Sequence, residues 1–477
     1  MTVDFEKKYM IEAYDITING EGIARFPASD VSGMPTAQSG KLVFCPNLLP
    51  GEVAEAGIDE EKKNYIYASI VQYINNSDDR KTVDCEVFGS CGGCVLQHIS
   101  YEKQLEIKKK HVLSCLVRIG KFDESDMNVL VRPVLGMEVP YFYRNHVQYQ
   151  VEEAGGFIRL GFYERQTNKL IIHEKCCLVP EICHQIQLQF PTFCAENHIR
   201  VQNRENHQNR VQKLSVRMGF HTGDLMLIVE GRGHLHFPAE KYADFMQQFI
   251  EEDEKLRKAN WKIKSIWEKQ MGEHAKYKLL WGAKYIEECI GDKIYMISPS
   301  SFFQVNSQQT LVLYNQIKKF ADKSISNVYQ SDKGKLIDLY CGTGTIGLHL
   351  SNIFPYILGV EINPEAVFDA EQNARRNGVV NCAYIRGKAE KEVFQIDSDD
   401  VVIIDPPRKG CDKRLLEILL SSMAQSIIYV SCDPATLARD LRKLADGGYK
   451  IEAVQPVDMF PWTGHVETIV SLRRQNI

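Results

Sequence analysis

The chain of 477 residues lacks any hydrophobic run long enough to cross a membrane. A spanning helix needs about 18 or more consecutive apolar residues, and no stretch approaches that length. The opening segment, MTVDFEKKYMIEAYD, also lacks the apolar core and the small-residue cleavage site of a secretory signal. We therefore expect a cytoplasmic protein with no membrane partner.

An excess of positive charge is missing as well. The 57 Lys and Arg residues stand against 62 Asp and Glu residues, which gives a net charge of −5. A strongly basic whole, the simplest sign of nucleic-acid binding, is thus excluded, and any RNA or DNA site must be a local basic surface. The hydrophobic fraction of 44% and charged fraction of 25% exclude a disordered or fibrous chain.

The 14 cysteines cannot form a disulfide framework in a reducing cytosol. Cys85, Cys91 and Cys94 follow one another as C-x5-C-x2-C, which favours a metal site over chance core cysteines. The segment IIHEKCCLVP offers Cys176 or Cys177 as a fourth ligand. Zinc sites usually pair two C-x-x-C units, whereas iron–sulfur clusters accept a close trio plus a remote cysteine, so iron–sulfur is favoured over zinc.

The length predicts about three domains. Residues 1–75 contain short β-rich runs divided by Gly and Pro, including a loop from Pro27 to Gly40, and predict a small barrel of about five strands. Residues 76–300 mix strands with a helix near Tyr242 to Phe249 and predict a central α+β domain. In residues 301–477 a helix is followed by repeated strand, glycine turn and helix, which predicts a doubly wound parallel α/β sheet.

A glycine-rich loop in LIDLYCGTGTIGLHL follows an apolar strand and precedes a helix. Gly342, Gly344 and Gly347 would let the backbone approach a ligand closely. The next strand ends at Glu361, where an acid can accept hydrogen bonds from a ribose diol. This pattern predicts a nucleoside cofactor, but nicotinamide enzymes share the glycine spacing, so the loop alone does not identify the cofactor.

Three further residues lie where strands end or begin. Asp405 and Cys432 end two strands, and the carboxyl ends of parallel strands form the ligand crevice, so both are expected beside Glu361. A helix follows Cys432 and predicts a shift of its pKa toward the thiolate, the nucleophilic form. Glu467 begins the last apolar strand and is a candidate general base. The alternatives are a buried core cysteine and a surface ion-pair partner.

Six motifs in this order resemble those of the RNA uracil-C5 methyltransferases, which make 5-methyluridine: SPSSFFQVN, DLYCGTGTIGL, GVEINPEAV, DPPRKG, YVSCDPATLARDL and DMFPWTGHVETIV. The resemblance covers the whole chain and implies a Rossmann-like, S-adenosylmethionine-dependent methyltransferase domain. It implies Cys432 as nucleophile and Glu467 as base. It also implies the residues that contact the methyl donor, which are Gln304, Tyr340, Glu361 and Asp405.

Two rival classes fit less well. Amino-group methyltransferases resemble D-P-P followed by an aromatic residue, whereas Arg408 follows here. RNA cytosine-C5 enzymes resemble Pro-Cys in place of Pro-Pro, whereas the nearest later cysteine is Cys411. A different class, a non-catalytic RNA-binding module, is disfavoured by the intact set of Cys432, Asp405 and Glu467.

The same resemblance extends to the first two domains. The β pattern with GEGIAR resembles the OB-like TRAM domain, and CGGCVLQHISYEKQL resembles the cluster segment of the family. It implies a [4Fe–4S] cluster on Cys85, Cys91, Cys94 and Cys176, although Cys177 stands where the family has proline. Barrel and cluster together look most like the 23S ribosomal RNA members, with transfer RNA as the alternative substrate. No obligate protein partner is inferred.

RNA would have to meet local basic groups. The candidate basic groups lie either on the helix after the cysteine-rich turn or in the central domain. The alternative is that they only form solvated faces. They are Lys108, Lys109, Lys110, Arg118, Arg200, Arg204, Arg210, Lys213 and Arg217. The target base must leave its stack to reach Cys432, which predicts an unpaired or flipped uridine. Phe302 and Phe303 either hold that base or belong to the core.

Overall fold

A computed structural model of the chain describes residues 5–26, 40–165, 167–203, 208–272, 275–328, 334–392, 396–422 and 424–475. Most of the predicted loop from Pro27 to Gly40, together with Arg204, lies outside these residues. Within the described ranges, no helix combines the length and apolar character that crossing a membrane requires.

The first sheet is the OB-like sheet, with the strand order β1-β5-β6-β4-β3-β2. Its strands are β1 Lys8–Glu12, β2 Asp15–Ile16, β3 Glu21–Arg25, β4 Leu42–Pro46, β5 Val53–Glu61 and β6 Tyr65–Tyr73. Alternate residues such as Ala54, Ala56 and Ile58 are buried, as expected when one face of a sheet covers a core. The prediction of about five strands misses the two-residue strand β2, which is too short to leave an alternating pattern.

The central sheet has the order β13-β12-β11-β10-β7-β8-β9. Its strands are β7 His146–Ala154, β8 Phe157–Tyr163, β9 Leu170–Ile171, β10 Arg210–Met218, β11 Asp224–Arg232, β12 Lys262–Gln270 and β13 Lys276–Gly282. The helices α3 Glu181–Glu196, α4 Ala239–Glu252 and α5 Glu254–Lys258 accompany it. The predicted helix near Tyr242 to Phe249 is confirmed within α4. A separate hairpin, β14 Ile286–Ile290 and β15 Lys293–Ile297, follows.

The last sheet has the order β18-β17-β16-β19-β20-β22-β21. Its strands are β16 Leu336–Leu339, β17 Ile357–Glu361, β18 Cys382–Arg386, β19 Val401–Ile404, β20 Ser426–Ser431, β21 Tyr449–Val457 and β22 Glu467–Arg474. The first five are parallel, as predicted, and β22 is antiparallel to both neighbours. The helices of this region are α6 Ser307–Val328, α7 Thr345–His349, α8 Pro364–Arg376, α9 Lys413–Ser421 and α10 Pro434–Asp446.

Two helices that precede the central sheet pack on this last sheet. They are α1 Tyr101–Arg118 and α2 Glu124–Leu130. Val112 and Leu116 of α1 are fully buried in one hydrophobic core with Leu437 and Leu441 of α10. The segment after the cysteine-rich turn is therefore continuous in packing with the C-terminal α/β unit, although it lies far from it in sequence.

The order of strands fixes where a ligand can lie. The sheet runs from β16 outward in both directions, to β17 on one side and β19 on the other. In such doubly wound sheets the crevice opens at the carboxyl ends of the strands beside this switch point. The residues that follow β16, β17, β19 and β20 are therefore brought to one edge.

Candidate functional site

A cavity of about 690 Å³ opens at that edge. It is lined by all six residues predicted to bind the cofactor or to act in catalysis: Gln304, Tyr340, Glu361, Asp405, Cys432 and Glu467. Sequence reasoning placed three of them, Glu361, Asp405 and Cys432, at strand ends, and the parallel sheet explains why they converge. Glu467 joins them because β22 runs antiparallel to β20 and so begins at the same edge.

The glycine loop holds Glu361 by its backbone. The N–H of Gly342 donates to Oε2 of Glu361 at 3.2 Å, and the N–H of Asn363 donates to Oε1 at 2.7 Å. Gly342 has a φ of +55°, and a Cβ added there would meet nothing within 4 Å, so the loop leaves room for a ligand. The carboxylate of Glu361 is thus fixed beside open space.

Asp338 is a buried support of this loop that the sequence did not single out as a site residue. Its Oδ2 accepts the N–H of Gly347 at 3.1 Å, and the side chain is 1% exposed. Burial, with a contribution from the charge of Asp405, raises the pKa of Asp338 to about 7. Its position inside a fully buried strand was the available signal, because a charged residue there requires a specific partner.

The two carboxyls of the catalytic cavity are also poorly solvated. Burial raises the pKa of Asp405 to about 7. Burial and the nearby charge of Asp405 raise the pKa of Glu467 to about 8, while Arg408 opposes the shift. A carboxyl with a pKa near neutrality suits proton transfer at physiological pH. Arg408, noted in the sequence only as the residue after D-P-P, is thus part of the electrostatics of the site.

The expected shift of Cys432 toward the thiolate is wrong for the protein without ligands. Burial, followed by the charges of Glu467 and Asp405, raises the pKa of Cys432 to about 11. The start of α10 does not reverse this shift, because Asp433 caps it. One oxygen of Asp433 accepts the N–H groups of Ala435 and Thr436, both at 2.9 Å, so the free donors of the helix are already used.

At the mouth of the cavity, Phe302 and Phe303 have different surroundings. Phe302 lines the cavity and is 71% exposed, whereas Phe303 is buried beside Tyr295. Arg217 holds this segment by donating to the carbonyl oxygens of Ser298 and Ser301. The prediction of Arg217 as part of a basic surface is therefore wrong, because its guanidinium is buried and committed to these two carbonyls.

Lys108 does not belong to a basic surface either. Its ammonium lies 2.6 Å from Asp458 and its side chain is fully buried. Lys110 is exposed and pairs with Asp15 at 2.6 Å. Arg118 and Arg200 are exposed, so they remain candidates for a local basic surface.

The cysteine-rich segment forms a second cavity of about 390 Å³. This cavity is lined by Cys85, Cys91, Cys94 and Cys176. The amide of Gln97 donates to the sulfur of Cys94 at 3.2 Å and to that of Cys177 at 3.1 Å. Among the residues that the structure describes, no three His, Cys, Asp or Glu side chains are arranged to hold a single metal ion. The fold therefore brings four thiols to one cavity, but the described residues show no metal site there.

The cavity at the sheet edge and its glycine loop define a nucleoside-cofactor enzyme of the Rossmann-like class. The family model described as tRNA (Uracil-5-)-methyltransferase matches residues 241–475, and the TRAM domain model matches residues 10–71. An RNA methyltransferase of Halalkalibacterium halodurans, described as uncharacterized, is 39% identical over 97% of this chain and 96% of its own length. One of Clostridium acetobutylicum, similarly described, is 38% identical over 91% and 92%.

A solved structure has the same fold over nearly the whole chain. It is the tRNA (uracil-54, C5)-methyltransferase of Pyrococcus abyssi with S-adenosyl-L-homocysteine, at a TM-score of 0.71 and 23% identity, covering 97% of this chain and 100% of that chain. From its relatives and family models, the chain belongs to the S-adenosylmethionine-dependent RNA uracil-5-methyltransferases and carries a TRAM domain. The predicted fold class and enzyme class are confirmed.

Proposed function

We propose that this enzyme forms 5-methyluridine through a covalent bond between Cys432 and C6 of the target uracil. The observation that carries the proposal is the presence of Cys432 and Glu467 in one cavity, with Glu361 and Asp405 beside them. A thiol, a buried carboxyl and a cofactor-sized space are what this chemistry needs.

The reaction balances with one nucleophile and one base. C5 of uracil is a poor nucleophile, so the sulfur of Cys432, having lost its proton, adds to C6 and turns C5 into an enolate carbon. S-Adenosylmethionine supplies the methyl group to that carbon and leaves as S-adenosylhomocysteine. Glu467 then takes the C5 proton, the bond from sulfur to C6 breaks, and the electron pair returns to the sulfur. The net products are 5-methyluridine, S-adenosylhomocysteine and one proton.

The remaining predicted residues are proposed to hold the methyl donor. Glu361 accepts hydrogen bonds from the ribose hydroxyls, since its two oxygens are already oriented by backbone N–H groups. Gln304, Tyr340 and Asp405 line the same cavity and complete the binding set. Replacement of Cys432 by Ala should leave cofactor binding intact and abolish methyl transfer, whereas full activity of Cys432→Ala would disprove the nucleophile.

We propose 23S ribosomal RNA as the substrate, with the target uridine unpaired or flipped. The OB-like barrel and the cysteine-lined second cavity support this choice, because together they resemble the 23S ribosomal RNA members of the family. The proposal includes no obligate partner protein and no membrane. Mapping 5-methyluridine in RNA from cells with and without the protein is the test. Loss of the modification from 23S RNA supports the proposal, and loss from transfer RNA alone assigns the enzyme to that substrate instead.

A [4Fe–4S] cluster is proposed for the second cavity, held by Cys85, Cys91, Cys94 and Cys176. Four thiols around one cavity fit the donor set of such a cluster, which keeps its ligands further apart than a single ion does. Transfer of a methyl cation has no electron step, so the role would be structural. Iron and sulfide near four each per chain after anaerobic purification support this assignment, and stoichiometric zinc contradicts it. Iron retained in Cys177→Ser and lost in Cys176→Ser would identify the fourth ligand.

We also propose the division into a barrel at residues 1–75, a central domain at 76–300 and a methyltransferase domain at 301–477, working in the cytoplasm. The three large sheets support it. Limited proteolysis tests the division, and cleavage near residues 75 and 300 is the expected result.

A further inference from the structure

A large groove lies beside the catalytic cavity and has no part in the chemistry described above. It measures about 860 Å³ and runs between β12, the edge strand β13 and the start of α8. We call it the aromatic groove, because four aromatic side chains line it: Trp267, Tyr277, Tyr285 and Phe368.

The aromatic groove and the catalytic cavity share one wall. Ser298, Pro299 and Ser300 line the groove, and Phe302, next in the same segment, lines the catalytic cavity. On the other side Ile362 faces the catalytic cavity and Pro364 faces the groove. A chain that placed one unit over the exposed Phe302 into the catalytic cavity would therefore enter the groove with its neighbouring units.

The aromatic groove offers flat apolar faces to a ligand. Phe368 is 58% exposed, although it stands on a helix whose other face is buried. The indole Nε1 of Trp267 is buried and has no acceptor within the part of the chain that the structure describes. Exposed aromatic faces of this kind stack with nucleobases of any sequence.

Two lysines of the aromatic groove are placed to meet phosphates. Lys276 and Lys284 line it and are exposed, and neither forms an ion pair with any described residue. The two acids of the groove instead each accept a neighbouring hydroxyl. Glu365 accepts that of Ser300, and Asp369 accepts that of Ser298 at 2.7 Å. Burial also raises the pKa of Asp369. The two lysines are thus the exposed cationic groups that the groove offers to a ligand.

We propose that the aromatic groove binds the unpaired nucleotides that flank the target uridine, with bases stacked on the aromatic side chains and phosphates near Lys276 and Lys284. The inference rests on the proposed function, since it assigns a second part of the RNA site to the same enzyme. An acidic peptide would meet the two lysines equally well, but it would leave the aromatic faces uncovered. Stacked bases satisfy both features, as in other single-strand binding sites.

The test uses the full-length protein and a single-stranded RNA of about a dozen nucleotides with one central 5-fluorouridine, within the site sizes of such grooves. Fluorescence anisotropy gives the dissociation constant at several salt concentrations, and denaturing gels give the rate of covalent trapping at saturating RNA. The variants are Phe368→Ala and the double variant Lys276→Ala/Lys284→Ala. Matched controls are Phe157→Ala, 69% exposed on β8, and Lys241→Ala, exposed on α4.

Phe368→Ala should raise the dissociation constant about tenfold, as expected for loss of one stacked base. The double lysine variant should reduce the slope of log K against log salt by about 1.4, since each phosphate contact on a single strand contributes about 0.7. Trapping at saturating RNA should be unchanged. If the groove variants matched the controls in dissociation constant and in salt slope, the inference would be overturned. Covalent trapping would in that case still support the proposed function. Failure of the wild type to trap any RNA would instead overturn the proposed function, and this inference with it.

Discussion

Cys432 and Glu467 lie together at one end of the antiparallel pair β20 and β22, and both line the catalytic cavity. The ladder ends with Ser431 opposite Thr468, so Cys432 directly follows the last pair on one strand and Glu467 directly precedes it on the other. Two residues 35 positions apart in the chain are thus brought to one cavity by the pairing of their strands. This pairing explains why the charge of Glu467 acts on the thiol.

The first prediction concerns the pKa of Cys432, which burial and the two carboxylates raise to about 11. Glu467→Gln removes a negative charge and should lower this pKa, whereas Arg408→Gln removes the opposing positive charge and should raise it further. The rate of iodoacetamide labelling of the Cys432 peptide against pH, read by mass spectrometry, reports both. Shifts in the same direction for the two variants would contradict the electrostatic assignment.

The second prediction concerns stability against pH. The pKa of Glu467 is about 8 in the folded protein and 4.5 as its ordinary value, so between these values the folded state binds more protons than the unfolded state. The contribution of Glu467 to stability should therefore fall as pH rises from about 4.5 to 8. Over this pH range the free energy of unfolding of Glu467→Gln should decrease by a few kcal/mol less than that of the wild type, since one pKa unit corresponds to about 1.4 kcal/mol.

Urea unfolding across this pH range measures the effect. The exposed Glu417→Gln serves as the control and should leave the curve unchanged. A pH dependence that is the same in the wild type and in Glu467→Gln would show that Glu467 is ionised in the folded protein.

The third prediction concerns the loop that precedes Glu467. Lys108 donates to Asp458 at 2.6 Å and to the carbonyl of Phe460 at 3.0 Å, and the hydroxyl of Tyr101 donates to the other oxygen of Asp458 at 2.8 Å. Lys108→Met leaves a buried carboxylate without its cation, which typically costs about 3 to 5 kcal/mol in free energy of unfolding. Chemical denaturation should show this loss. Lys110→Met, which breaks the exposed pair with Asp15, should cost under about 1 kcal/mol; equal losses would refute the distinction.

The fourth prediction concerns the methyl donor. Glu361→Gln removes a charged acceptor of ribose hydrogen bonds, and such bonds contribute about 1.5 to 3 kcal/mol. Its dissociation constant for S-adenosylhomocysteine, from calorimetry, should therefore rise at least about tenfold. Glu371 lies on α8, the helix that follows Glu361, and outside the cavity, so Glu371→Gln should bind as the wild type does. Wild-type affinity in Glu361→Gln would remove this residue from the cofactor site.

The parallel sheet and the strand-end residues Glu361, Asp405 and Cys432 were accessible from sequence because they follow a local pattern, whereas Gln304 and Tyr340 were expected only from the resemblance to a family. Units of strand, glycine turn and helix recur along the sequence, and the order of the strands in the sheet brings their carboxyl ends to one edge. The environments of individual charges were not accessible. Lys108 is buried because of Asp458, 350 residues later, and Arg217 because of carbonyls more than 80 residues away. The pKa of Cys432 also depends on burial by the surrounding fold and on a carboxylate from another strand.

The central claim is a covalent bond from Cys432 to C6 of uracil, and 5-fluorouridine RNA tests it most directly. Fluorine at C5 cannot leave as a proton, so the methylated adduct cannot be resolved by Glu467 and should accumulate. The account predicts a stable protein–RNA complex that requires S-adenosylmethionine, with the RNA attached to the peptide containing Cys432. Attachment to another residue, or equal trapping by Cys432→Ala, would contradict it.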